Sequence, residues 1–130
     1  MILQGRGISP GIAQGIAIVS KTPLSFYGGV DPKTGIVIEK AHELEGKCVA
    51  GKILVFPNGK GSTVGSYVIY GLKKYGKEPI AIINARMETI VATGVILAGI
   101  PAVDSVDISK IKDGALLKVD GAKGTVEIVE

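Results

Sequence analysis

The stretch Phe56-Pro57-Asn58-Gly59-Lys60-Gly61-Ser62-Thr63-Val64-Gly65-Ser66-Tyr67 decides the fold of this chain. It completes an apolar run, Lys52–Phe56, that is typical of a buried strand. Proline, asparagine and two glycines then predict a turn. Apolar residues recur at helical spacing beyond Thr63, which predicts a helix over Thr63–Tyr75 that Gly76 and Pro79 close. The stretch is therefore a strand-to-helix connection with a hydroxyl, Ser62, near its tip.

Two roles fit Ser62. Glycines let the backbone approach a ligand, and free N–H groups at the start of a helix favour negative charge. Lys60 adds a positive charge two residues earlier. Serine is also a preferred N-cap residue of helices, and in that role Ser62 would be purely structural. Spacing alone leaves both roles open.

Composition limits the classes of protein to which the chain can belong. Its 130 residues, 46% of them hydrophobic, fit one domain over residues 1–130. The net charge of +3 is spread along the chain without a basic run, so nucleic-acid binding is not predicted, while a small anionic substrate is compatible. No signal peptide or membrane-spanning run is visible, and we expect a cytoplasmic protein.

Metal ligands are scarce in the sequence. There is one cysteine, Cys48, and one histidine, His42. A single thiol cannot hold an iron–sulfur cluster, and a zinc site from these residues is not expected. We expect Cys48 to be a small buried residue rather than a nucleophile, and His42 to lie in a polar turn or a short helix.

The rest of the chain predicts a mixed α/β fold. Gly15–Ser20 is rich in β-branched residues, and Ile80–Ile83 is typical of a central strand covered on both faces. A second helix is predicted over Glu88–Ala98, closed by Gly99. The strand, helix and strand around the first helix form a βαβ unit. Leu116–Val119 and Thr125–Val129 flank a turn and predict an antiparallel hairpin.

Two further loops are candidates for function. Arg6 lies between two glycines, where it is either an anion contact on a loop or a solvated side chain. The long turn Phe26–Gly35, which contains Lys33, is either functional or a plain connection. Arg86 lies between a predicted strand and a predicted helix, so it could face the end of the sheet.

Two patterns resemble a known family. Gly99-Ile100-Pro101-Ala102-Val103, followed by Asp113–Gly121, resembles the closing half of a swivelling β/β/α domain. Phosphohistidine domains of phosphoenolpyruvate-utilising enzymes and the mobile fourth domain of aconitases share that fold. In the first group a histidine lies nine residues before the glycine, and here that position is Ile90. The resemblance therefore favours the aconitase group.

Gly28–Gly35 and Phe56–Thr63 resemble the aconitase X swivel domain over essentially the full chain. The resemblance implies the small catalytic subunit of a heteromeric hydro-lyase that dehydrates 5-phosphomevalonate to anhydromevalonate 5-phosphate for isoprenoid synthesis. It implies Ser62 as the proton acceptor, and a large partner subunit that carries a [4Fe-4S] cluster. No cofactor is expected on this chain. The candidate substrate contacts are Lys60, Gly61, Arg6, Arg86 and Lys33.

Two alternatives remain open at this level. The chain could serve another aconitase-like dehydratase of hydroxy acids, or it could be a non-catalytic swivelling binding module. Ser62 in its glycine-rich turn and the lack of a histidine at position 90 both favour a hydro-lyase.

Overall fold

The computed structural model describes residues 1–129, which form an eight-stranded sheet, a two-stranded ladder and two helices. In chain order, the elements are β1 (Ile2–Gln4), β2 (Arg6–Ser9), β3 (Ile12–Val19), β4 (Leu24–Ser25), β5 (Ile53–Phe56), β6 (Gly59–Lys60), α1 (Gly65–Lys74), β7 (Ala81–Asn84), α2 (Thr89–Ala98), β8 (Ala102–Asp104), a 3-10 turn (Ile108–Lys110), β9 (Leu116–Asp120) and β10 (Thr125–Ile128). This is the mixed α/β fold that the sequence predicts.

The large sheet has the order β1-β10-β9-β3-β5-β7-β8-β2. Strands β3, β5, β7 and β8 are parallel to one another, and the remaining pairs are antiparallel. β1 and β2 stand at opposite ends of this order, yet only Gly5 separates them along the chain. The two edges of the sheet therefore meet, and the Gly5 N–H donates to the Gly124 carbonyl at 2.8 Å. The sheet closes on itself and leaves no long open edge.

The central strands divide their side chains between two cores. All four residues of β5 are buried. Ile53 and Val55 pack with Val103 and Val119 in the cluster enclosed by the sheet. The alternate residues Leu54 and Phe56 pack in the second cluster, which also contains apolar residues of both helices. Period-2 alternation into two apolar layers explains why β5 is apolar at every position.

Helices α1 and α2 pack against each other on one side of the sheet. α2 begins after Glu88, whose carboxylate accepts the N–H groups of Ile90 and Val91, and it ends at Gly99 in the left-handed conformation. The sequence predicts both limits to within one residue, since an N-cap carboxylate and a C-cap glycine are strong local signals. No helix in the described part of the chain is long and apolar enough to cross a membrane.

The start of α1 differs from the prediction. The helix begins at Gly65, and residues 62–64 form tight turns in which the Gly65 N–H donates to the Ser62 carbonyl at 2.9 Å. The N-terminal segment also differs, because Arg6 lies on strand β2 and not on a loop. The reason is long-range pairing: β2 pairs with β8, whose residues lie about a hundred positions downstream.

Candidate active site

The parallel strands end together at one edge of the sheet. Phe56, the last residue of β5, is paired in register with Asn84, the last residue of β7, and Ile83 is paired with Val103 of β8. The loops that follow these strands therefore leave the sheet side by side. In α/β folds with parallel strands, whether the sheet is open or closed, ligands bind at this carboxyl edge.

The loop after β5 carries Ser62 to this edge. The side chain of Ser62 is exposed, and its Oγ accepts the Val64 N–H at 3.2 Å. This bond, from a backbone N–H to the serine hydroxyl two residues earlier, forms an ST turn directly before the helix. Ser62 therefore does accept a backbone N–H as a capping residue would, but it stabilises the turn before α1 and not the first turn of the helix. The N-cap of α1 itself is Val64, which makes no side-chain capping bond.

Gly61 sets the direction in which the chain enters Ser62. Its φ is +87°, in the left-handed region that side chains disfavour. A Cβ at this position would lie 2.5 Å from the Ser25 hydroxyl oxygen. The backbone conformation favours glycine here, and a larger residue would force the Ser25 hydroxyl to move.

Lys60 makes an ion pair that the sequence does not predict. Its ammonium lies 2.9 Å from Glu39 Oε2, with side-chain exposures of 48% for Lys60 and 20% for Glu39. Partial burial raises the pKa of Glu39, but the Lys60 hydrogen bond and the Ser25 N–H bond outweigh it, so the pKa of Glu39 is lowered overall. The positive charge expected beside Ser62 is thus balanced by a carboxylate.

Arg6 is also paired. Its guanidinium donates two hydrogen bonds of 2.9 Å to Asp104, the residue opposite it on β8. The Asp104 side chain is fully buried and also accepts the Met87 N–H at 2.9 Å. Burial raises the pKa of Asp104, while Arg6 and Met87 lower it by more, so this pKa is lowered overall. Arg6 has an exposed side chain, but its Nε and Nη2 both bind one carboxylate, which holds the guanidinium on Asp104.

Arg86 and Lys33 lie in different places. The N–H groups of Ala85 and Arg86 both donate to the Pro57 carbonyl, at 3.0 and 3.1 Å, which anchors Arg86 at the base of the Ser62 loop. Its side chain is exposed, and none of the ion pairs formed within residues 1–129 involves it. The turn that contains Lys33 packs near the other end of α1, because a Cβ on Gly71 would meet the ring of Pro32 at 3.2 Å. The structure therefore brings Arg86, and not Lys33, to the base of the serine loop.

Three residues of this edge carry roles that the sequence did not reveal. Glu39 and Asp104 each hold a predicted site residue, and they come from distant segments. Asn84 is fully buried, and its amide donates to the Phe56 and Ile83 carbonyls at 3.1 Å. In the sequence, the only indication of a role for Asn84 is that it directly follows the apolar run Ile80–Ile83. A sequence gives no direct signal for partners as remote as Arg6 and Asp104.

The side chains of residues 1–129 do not form a metal centre. No group of three or more His, Cys, Asp or Glu side chains within this range could hold a metal ion. The expectation that Cys48 is buried is wrong: its side chain is exposed, and Sγ lies 3.5 Å from the Thr34 carbonyl. Cys48 forms an isolated bridge with Ile36 and lies on the exposed side of its segment, while the next residue, Val49, takes the buried side. His42 does lie in a turn, where it is buried and bonded to the Leu44 N–H and the Pro23 carbonyl.

Comparison with known proteins identifies the family. A family model described as the aconitase X swivel domain matches residues 2–128. The chain is 60% identical over 130 residues to the phosphomevalonate dehydratase small subunit of Thermococcus kodakarensis, covering 100% of this chain and 98% of that relative. It is 53% identical over 131 residues to the phosphomevalonate dehydratase small subunit of Methanosarcina acetivorans, covering 98% of this chain and 91% of that relative. The crystal structure of Thermococcus kodakaraensis aconitase X in its holo-form superposes with a TM-score of 0.99 at 59% identity, covering 100% and 99%.

This chain belongs to the aconitase X swivel domain family. The fold and family that the sequence resembles are therefore confirmed. Its full-length relatives share the name phosphomevalonate dehydratase small subunit, and a dehydratase is a hydro-lyase, which confirms the predicted class of enzyme.

Proposed function

We propose that this chain is the small catalytic subunit of a phosphomevalonate dehydratase, with Ser62 as the proton acceptor. The observation that carries the proposal is the geometry of Ser62. Its hydroxyl is exposed at the carboxyl edge of the sheet, on a loop fixed by Gly61 and the β4–β6 ladder, and a backbone N–H already points at its Oγ. The names of the full-length relatives support the substrate, 5-phosphomevalonate.

Dehydration of a β-hydroxy acid removes a proton from one carbon and hydroxide from its neighbour. A serine hydroxyl is a weak base unless its alkoxide is stabilised. The Val64 N–H, 3.2 Å from Ser62 Oγ, is a donor suited to that task because backbone amides stabilise developing negative charge without reorganising. Ser62 would take the carbon-bound proton, while the departing hydroxide needs an acid that lies outside this chain.

The residues of this chain do not fit an iron–sulfur cluster. Such clusters need several thiolates, and Cys48 is the single thiol in the sequence. We therefore assign the [4Fe-4S] cluster and the Lewis acid to a large partner subunit, as the name small subunit among the relatives suggests. The partner would cover the edge at Ser62, and the site would form between the two chains.

The substrate carries a phosphate and a carboxylate, and the charges at this edge rank the candidate contacts. Arg86 is the foremost, because it is exposed, anchored to the Ser62 loop and unpaired within residues 1–129. An arginine binds such groups through paired hydrogen bonds. Lys60 and the Gly61 backbone adjoin Ser62 but are restrained by Glu39 and Ser25. Arg6 is held by Asp104, and Lys33 lies beside the far end of α1, so both are weaker candidates.

The experiment that tests the proposal replaces Ser62 by alanine and by asparagine in the complex co-expressed with its large subunit. Alanine removes the hydroxyl and its bond to the Val64 N–H, whereas asparagine keeps an oxygen that can accept that bond but cannot act as the base. We expect both variants to assemble normally and to lose turnover of 5-phosphomevalonate by about 10²–10⁴-fold or more. A well-assembled Ser62→Asn complex that turns over at the wild-type rate would show that Ser62 only shapes its turn.

A further inference from the structure

We propose that Glu39 is a positioning residue for Ser62, acting through Lys60 and Ser25. The proposal rests on the catalytic role proposed for Ser62 and assigns a role to a residue outside the two motifs that define the family resemblance. Glu39 lies on the irregular segment between β4 and β5, far from Ser62 along the chain but in contact with β6, which leads into the serine loop, and with its partner strand β4.

The two oxygens of the Glu39 carboxylate hold different strands. Oε1 accepts the Ser25 N–H of β4 at 2.9 Å, and Oε2 binds the Lys60 ammonium of β6 at 2.9 Å. Only 20% of this side chain is exposed. A carboxylate that is mostly buried and has both oxygens engaged is held in one orientation, since releasing either contact would leave a charge partly desolvated.

The ladder that Glu39 bridges is short, so a side-chain link across it adds substantially to its contacts. β4 and β6 pair over only two residues each, Leu24 with Gly59 and Ser25 with Lys60. An isolated pair of strands is marginally stable even when it is longer. The Glu39 carboxylate adds a link across the pair at its second position, directly before Gly61, and so fixes the end of the ladder from which the serine loop departs.

The link reaches Ser62 by two routes. Along the chain, Lys60 is followed by Gly61 and then Ser62. Across the ladder, Gly61 packs so closely on Ser25 that a single added carbon would lie 2.5 Å from the Ser25 hydroxyl. Ser25 therefore borders Gly61 on one side, and Lys60 precedes Gly61 along the chain, so the two contacts of Glu39 restrain neighbours of the backbone that leads to Ser62.

Glu39 also determines how the charge of Lys60 is used. With the ion pair intact, the ammonium is held at the carboxylate, so its main effect is on the geometry of the loop. Without Glu39, Lys60 is free to meet an anionic substrate. Replacing Glu39 should therefore lower kcat, while KM stays the same or falls. The loss of a substrate contact would instead raise KM.

The test compares Glu39→Gln, Glu39→Ala and a matched control in the complex with the large subunit. Glu39→Gln is isosteric and keeps an acceptor for the Ser25 N–H, whereas Glu39→Ala removes both contacts. The control is Glu43→Gln, because Glu43 lies in the same segment and its pKa is likewise lowered, but it bonds to Ser20, Lys21 and Thr22 and not to β4 or β6. Turnover of 5-phosphomevalonate, KM and the melting temperature of each complex are measured, with Ser62→Ala as reference.

We expect kcat to fall about 10-fold in Glu39→Gln and about 10²-fold in Glu39→Ala, as a displaced catalytic group predicts, with KM within about twofold of wild type or lower. Glu43→Gln should keep its kcat even if its melting temperature falls as far. Full kcat in both Glu39 variants, with Ser62→Ala inactive, would overturn this proposal alone. Equal losses of kcat in the Glu39 and Glu43 variants would also overturn it, because they would show that the losses come from general destabilisation. An active Ser62→Ala complex would instead overturn the catalytic role of Ser62.

Discussion

Replacing Gly61 by alanine tests whether the space beside Ser25 controls the serine loop. Two costs act at this position. A side chain at φ +87° costs roughly 1–2 kcal/mol, and a Cβ only 2.5 Å from the Ser25 hydroxyl oxygen adds roughly 1–3 kcal/mol of overpacking. Gly28 supplies a matched control, because its φ is +77° but nothing lies within 4 Å of a Cβ there.

The difference between the two variants isolates the clash. Alanine reduces the freedom of the unfolded chain equally at both positions, so that contribution cancels. We expect Gly61→Ala to be less stable than Gly28→Ala by roughly 1–3 kcal/mol, and its melting temperature to be lower by about 4–12 °C for a chain of this size. The assay is thermal and urea unfolding of the full chain, followed by turnover of the complex, where Gly61→Ala should lose about 10²-fold in kcat.

Removing the obstructing hydroxyl should restore part of the loss. Ser25→Ala deletes Oγ and leaves Cβ at 3.4 Å, an ordinary contact distance. The single Ser25→Ala variant measures the loss of the Ser25 hydroxyl bond to the Tyr27 carbonyl, so a double-mutant cycle yields the clash alone. Equal destabilisation of Gly61→Ala and Gly28→Ala, with no coupling between positions 25 and 61, would refute the reasoning.

Two further predictions concern the charged residues of the same edge. Arg86→Gln should raise KM for 5-phosphomevalonate by about 10- to 10²-fold and kcat should change less, because the loss is that of a charged hydrogen bond to an anionic group; an unchanged KM in steady-state kinetics would remove Arg86 from the site. The unfolding free energy of the chain should fall as the pH drops below about 4, because the pKa of Asp104 is lower in the folded state than its unfolded value of about 3.9. Asp104→Asn should lower stability at pH 7 by about 1–3 kcal/mol and reduce this acid dependence, and an acid limb identical to wild type in urea titrations would contradict that assignment.

Much of the fold could be predicted because its signals are local. β5, β7 and both helices are marked by apolar runs and by terminal glycines, prolines and a capping carboxylate. The limits of α2 matched to within one residue, since Glu88 and Gly99 act on their nearest neighbours. α1 begins two residues late because Ser62 bonds to a turn, and spacing does not distinguish such a turn from a first helical turn.

The remainder depends on partners that are distant in sequence. The glycines on both sides of Arg6 are local turn signals and leave its role open, whereas its strand is made by pairing with β8. Glu39 has no local pattern that connects it to Lys60. Cys48 was assigned to the core from the habits of its residue type, which cannot tell whether another layer covers a particular turn. The sequence therefore predicts the serine loop but not the carboxylates that bind Lys60 and Arg6.

The closure of the sheet has a consequence for the order in which the chain can assemble during synthesis. Residues 2–9 form β1 and β2, but their partners are β10 and β8, made more than ninety residues later. Until β8 has been synthesised β2 has no partner, and until β10 follows β1 has none. Pairing over such separations is slow to form and exposes unpaired edges in the meantime. The segment that seals both ends of the sheet is thus the first of the described strands to be synthesised and among the last to find its place.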